Sequence, residues 1–94
     1  MSKFLEEAYL EATEWNLATL EELCTIKSSS KSRIDRQKSI CGKMLAICAT
    51  FDPELRQRAR CRPTRANNLI DEAKSSGTPI PTLLSRHADH VRSI

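Results

Sequence analysis

The fold is decided by residues 3–26, which read KFLEEAYLEATEWNLATLEELCTI. This stretch contains no Gly or Pro, and its apolar residues recur at the three- and four-residue spacing of an amphipathic α-helix. A helix turns by about 100° per residue. At that rotation, one apolar stripe contains Leu5, Ala8, Ala12, Trp15, Leu23 and Ile26, and a second stripe contains Leu10, Leu17 and Cys24, with Leu20 beside it. The remaining side carries Glu7, Glu11, Glu14 and Glu21 and is expected to be solvated.

The two stripes make this helix more apolar than one neighbouring helix requires. Together they cover an arc of about 200° at 3.6 residues per turn, whereas packing on one neighbour needs little more than ~100°. Other helices of the chain, or a second chain, must cover the excess. We therefore predict a protein interface at Leu10, Leu17, Leu20 and Cys24, with a homodimer as the expected assembly.

A second long helix is predicted over about 32–51. The Ser- and Lys-rich segment 27–31 precedes it as a linker, with Ser30 or Ser32 as the N-cap. One side of this helix is apolar and is expected to carry Ile34, Ile40, Cys41, Met44, Leu45, Ile47, Cys48 and Phe51. The short linker predicts that helices 3–26 and 32–51 form a long antiparallel hairpin, and Ser2 is a suitable cap for the first of them.

Three short helices are predicted to follow the hairpin. Asp52-Pro53-Glu54 is a strong start for a helix over about 53–61, and Pro63 opens another that ends near Gly77. Segment 78–81 holds two prolines and is expected to be extended, with a last helix over about 81–92. The predicted fold is all-α, a small bundle of four to five helices in a single domain, 1–94.

Charge divides the chain into an acidic first helix and a basic remainder. Residues 1–27 carry a net charge of −4, residues 28–50 carry +4 and residues 51–94 carry +3. Opposite charges of this kind attract within a fold or across a dimer, and a basic surface also attracts nucleic acid or an acidic partner. The sequence leaves these interpretations open.

The sequence favours a cytoplasmic protein with free thiols. Acidic residues interrupt the start of the chain where the apolar core of a signal peptide would run, and no apolar stretch approaches the roughly 20 residues of a membrane span. Cys24, Cys41, Cys48 and Cys61 are expected to be reduced in that compartment. Cys41 and Cys48 are also expected to lie about 10 Å apart along one helix, which is too far for a disulfide between them.

Catalytic and metal chemistry find little support in the sequence. Cys61 lies among Arg58, Arg60 and Arg62, which would lower the pKa of an exposed thiol, but no spacing pairs it with a base. His87 and His90 are three residues apart, yet no Cys spacing is that of a zinc site. Two glycines cannot build a phosphate loop. We expect no enzyme activity, metal or cofactor.

An alternative function is DNA binding. Five arginines lie between residues 56 and 65, where two short helices form a helix-turn-helix-like element at about 53–75. Its candidate contact residues are Arg56, Arg60, Arg65, Asn67 and Asn68. The favoured function is a small regulatory or adaptor protein that binds a protein partner, for example an antiactivator that sequesters a transcription factor.

Overall fold

The first two helices form the long antiparallel hairpin that the sequence predicts. In the computed structural model, which describes residues 3–93, α1 is Lys3–Thr25 and α2 is Lys31–Cys48. Thr13 Oγ1 lies 3.3 Å from Cys48 Sγ, while Gln37 Nε2 donates to the Asn16 backbone oxygen at 2.9 Å. The later α1 residue thus meets the earlier α2 residue, as antiparallel packing requires. The predicted cap at Ser2 lies outside the described residues.

Three shorter helices close one side of the hairpin. They are α3, Pro53–Arg58; α4, Thr64–Ser76; and α5, Ile80–Ser93. Both α4 and α5 pack on α1, and α5 also packs on α2 and α4. The all-α class and the order of two long helices followed by three short ones are confirmed within residues 3–93. No helix in this range is long and apolar enough to cross a membrane.

Local chemistry explains where most of the helices begin and end. Ser30 Oγ accepts from the Arg33 backbone N–H at 3.2 Å and caps α2, and an Asp52 carboxylate oxygen accepts from the Glu54 N–H at 2.9 Å and caps α3. Gly77 ends α4 with φ of +71°, a left-handed conformation that glycine adopts without strain.

Three predicted boundaries are wrong. α2 ends at Cys48 rather than 51, and α3 ends at Arg58 because Ala59 takes an extended conformation. The segment predicted to be extended at 78–81 is helical from Ile80 onward. Its prolines are tolerated there because the first turn of a helix has no internal acceptor for its N–H groups.

The core lies between the hairpin and the three short helices. Its members are apolar and buried: Leu10, Leu17, Leu20, Cys24, Ile34, Cys41, Leu45, Cys48, Phe51, Ala59, Ala66, Leu69, Ile70, Leu83, Leu84 and Ala88. The rings of Tyr9 and Phe51 meet edge to face at 6.1 Å. All four cysteines carry free thiols.

Candidate protein-binding surface

The predicted interface residues of α1 lie in the chain's own core. Leu10, Leu17, Leu20 and Cys24 are at most 7% exposed, so none of them is available to a partner in this fold. This side of α1 is turned inward because Glu14 and Glu21 beside it bond to residues of α4 and α5. The helix does carry more apolar surface than its neighbours cover. The uncovered surface, however, lies on the side of α1 opposite these leucines.

The uncovered stripe of α1 faces away from the core and carries two large aromatic side chains. Phe4 is 79% exposed and Trp15 is 69% exposed, and Ala8 and Ala12 between them are exposed as well. We call Phe4, Ala8, Ala12 and Trp15 the α1 stripe. Its residues are three or four positions apart and therefore lie on one face of the helix. Tryptophan is the residue most characteristic of energetically dominant contacts between proteins.

A second apolar strip follows α2 on the same side of the hairpin. Ile40 and Ile47 are exposed and Met44 between them is half-buried, and we call these three residues the α2 stripe. The seam between the two helices is polar, because the Gln37 amide donates to the side-chain oxygen of Asn16 at 3.1 Å. The α1 stripe and the α2 stripe thus flank one seam and form a single face of the hairpin.

A groove runs along the other edge of the α1 stripe. It consists of two adjoining cavities of ≈ 380 and ≈ 270 Å³, both of which are lined by Glu11 and Cys61. Trp15 lines the larger cavity and Phe4 the smaller one. The aromatic side chains therefore stand beside a depression that could receive the side chains of a partner.

The thiol in this groove is not activated. Burial raises the pKa of Cys61, and the nearby carboxylates of Glu11 and Glu14 raise it further. The sequence pointed to arginines around Cys61, but the fold surrounds it with acids from α1 instead. Burial also raises the pKa of the other three thiols, to about 11 at Cys41. A thiol held in its protonated form is a poor nucleophile.

The residues proposed for DNA contact are largely used inside the fold. Arg56 is buried, and its Nη1 donates to the side-chain oxygen of Asn67 at 3.0 Å, while the Asn67 amide donates back to the Arg56 carbonyl oxygen at 3.0 Å. Asp71 completes this pairing at 3.5 Å from Nη1. Only Arg60 and Asn68 of the five candidates stay exposed without a bond to another element.

Arg65, the remaining DNA candidate, belongs to an acid clamp that joins three helices. Its Nε donates to Glu21 at 2.8 Å and its Nη1 to Glu14 at 3.1 Å. Glu21 also meets His87 Nε2 of α5 at 2.8 Å. Burial alone would raise the pKa of Glu21, but the hydrogen bonds from Arg65 and His87 outweigh it and lower that pKa. The prediction of a solvated acidic side is therefore wrong for Glu14 and Glu21.

Glu14 also provides the N-cap that α4 lacks. Pro63 occupies the capping position of α4 and makes no side-chain bond. The Glu14 carboxylate of α1 accepts from the backbone N–H of Arg65 at 3.1 Å and of Ala66 at 3.0 Å. An anion at this end of the helix also opposes the positive end of the helix dipole.

No residues gather into a metal site in the part of the chain that the structure describes. No group of three or more His, Cys, Asp or Glu side chains has suitable geometry among residues 3–93. His87 binds Glu21, and His90 is exposed on α5.

Comparisons with protein-family models, curated proteins and solved structures found no match. The exposed face of the hairpin and the groove beside it are therefore the features that bear on function.

The sequence analysis did not identify Phe4 and Trp15 as surface residues, although the sequence contains one signal for it. Glu11 and Glu22 fall on the same side of the helix as these aromatic residues, whereas the leucine stripe contains no acidic residue.

Proposed function

We propose that this chain is a non-enzymatic regulatory or adaptor protein, resident in the cytoplasm, that binds a protein partner through the α1 stripe. The observation that carries this proposal is the exposure of Phe4 and Trp15 on the helix face opposite the core. An exposed apolar face of this kind on a small chain is characteristic of an interaction surface. Self-association as a homodimer is part of the proposal.

The surroundings of the α1 stripe indicate which partner it fits. Glu11 and Glu22 are exposed along the stripe, and no ion pair among the side chains of residues 4–93 engages either of them. A partner helix with apolar residues at three- and four-residue spacing and basic residues beside them would satisfy both features. A segment of a transcription factor held in this way would be sequestered, which is the antiactivator form of the proposal.

Two observations support binding rather than catalysis. The cavities beside the α1 stripe open on its aromatic side chains, and the thiol in them has a raised pKa. DNA binding is the weaker candidate, because Arg56, Arg65 and Asn67 are committed to bonds within the fold.

The proposal is tested by photocrosslinking in the native cell. An aromatic photoreactive residue replaces Trp15, and a matched variant carries it in place of the exposed Glu72 of α4. We expect one protein other than this chain to crosslink at position 15, to be absent at position 72, and to persist after nuclease treatment. Loss of the crosslink in a chain that also carries Phe4→Glu would confirm the face. Equal crosslinking at both positions, or none at either, would overturn the proposal.

A further inference from the structure

The two edges of the hairpin face carry opposite charges. Glu11 and Glu22 lie along the α1 stripe, whereas Arg36 and Lys43 lie along the outer edge of the α2 stripe. No ion pair with another side chain of the described residues 4–93 engages any of these four side chains. From the outer edge of α1 to the outer edge of α2, the surface is therefore acidic, then apolar, polar at the seam, apolar again and finally basic.

A face with this order is complementary to itself. A two-fold axis parallel to the helices places α1 of one copy over α2 of the other, so that each acidic edge meets a basic edge. The register fits as well. The contacts of Thr13 with Cys48 and of Asn16 with Gln37 align the helices. Taken separately, the two contacts place Glu11 at the level of residues 42–50 and Glu22 at the level of residues 31–39, and these ranges include Lys43 and Arg36.

We propose that the occupant of this face is a second copy of the chain, in a two-fold dimer that stacks α1 on α2, and that this dimer masks the partner-binding α1 stripe. This inference rests on the proposed function for the partner that is masked. The α2 stripe with its arginine and lysine has the chemistry of the partner helix described above, so each copy carries a mimic of the partner. Dimer and partner complex then exclude each other.

The size of the face suits an exchangeable dimer. The 23 residues of α1 span about 34 Å, and two helices packed 8–10 Å apart present a strip roughly 20 Å wide. The face is then roughly 700 Å² per copy, against about 800 Å² for a standard stable interface. A contact of this area with a polar seam is strong enough to form and weak enough to be displaced by a partner.

Charge reversal tests the stacking of α1 on α2. Sedimentation equilibrium of the purified full chain is measured for the wild type, for Glu11→Lys and for Lys43→Glu, each alone and then mixed one to one. Each variant alone places like charges in contact twice per dimer, and we expect its dissociation constant to rise about tenfold or more. The mixture pairs opposite charges at both sites and is expected to recover wild-type affinity. Glu72→Lys and Arg86→Glu, exposed on α4 and α5, are the matched controls.

The single tryptophan of the chain provides an independent readout. Trp15 is exposed in one copy, so dilution of the dimer should shift its fluorescence to the red, and the controls should share this behaviour. A wild type that stays monomeric at all concentrations would overturn the dimer. Equal affinity of the two reversed variants and the wild type, or no recovery on mixing, would overturn the stacking. If either occurs while position 15 still crosslinks a different protein, this inference fails while partner binding through the α1 stripe stands. A wild type that stays monomeric also removes the homodimer from the proposed function.

Discussion

Replacing Glu14 with alanine should destabilise the fold far more than its place on an acidic helix suggests. The substitution removes the acceptor for two backbone N–H groups at the start of α4 and for one guanidinium nitrogen of Arg65. Loss of an N-cap costs about 1 kcal/mol, and a hydrogen bond to a charged group contributes about 1.5–3 kcal/mol. Water can replace part of these bonds, because the Glu14 side chain is 12% exposed. We therefore expect a loss of about 2–3 kcal/mol.

Urea unfolding followed by far-UV circular dichroism measures this loss directly. In a thermal scan it corresponds to a fall in Tm of about 10–20 °C for a chain of this size. Glu7→Ala removes the same charge from the same helix without removing any side-chain bond found among residues 4–93, and it should change stability by less than about 0.5 kcal/mol. If Glu14→Ala and Glu7→Ala have the same unfolding midpoint, the cap supplied by α1 contributes nothing and the reasoning is refuted.

Four further substitutions probe packing, backbone conformation, charge and the buried arginine. Gly42→Ala should stabilise the fold by about 1 kcal/mol in urea unfolding, because the new Cβ meets Leu84 at an ordinary 3.6 Å; Gly77→Ala, at positive φ, should destabilise it. Glu21 has a lowered pKa in the folded chain, so its contribution to stability is complete above the ordinary carboxyl pKa of about 4.3 and is lost as the pH falls through the lowered value. Glu21→Gln should therefore flatten the acid limb of stability against pH, and an unchanged limb would contradict the clamp. Arg56→Ala should cost about 2 kcal/mol in the free energy of unfolding, because it leaves the buried side-chain oxygen of Asn67 without its donor; a loss below about 0.5 kcal/mol would contradict this pairing.

The helices could be predicted from the sequence because their signals are local. Ser30 and Asp52 cap the helices that follow them, and Gly77 ends α4, through bonds and dihedral angles that involve only a few neighbouring residues. Helical periodicity likewise identified both apolar stripes of α1. Predicting these features did not require the tertiary contacts between the helices.

The orientation of α1 could not be predicted with the same reasoning. Two apolar stripes compete for the core, and the choice depends on α4 and α5, which present a cap site at Arg65 and a partner at His87 to the acidic side of α1. Glu14 and Glu21 are drawn inward by these long-range partners, and the leucines beside them follow. The stripe with Trp15 is left outside as a result.

The long sequence separation within the acid clamp has a consequence for how the protein is made. Glu21 and Arg65 are 44 residues apart, and Glu21 and His87 are 66 apart. At a synthesis rate of about 5–20 residues per second, the first partner of Glu21 leaves the ribosome about 2–9 s after it. During that interval the nascent hairpin has both of its apolar sides open to solvent. A chaperone or an already folded copy would meet the chain in this state, and the arrival of α4 ends it by turning the leucine stripe permanently inward.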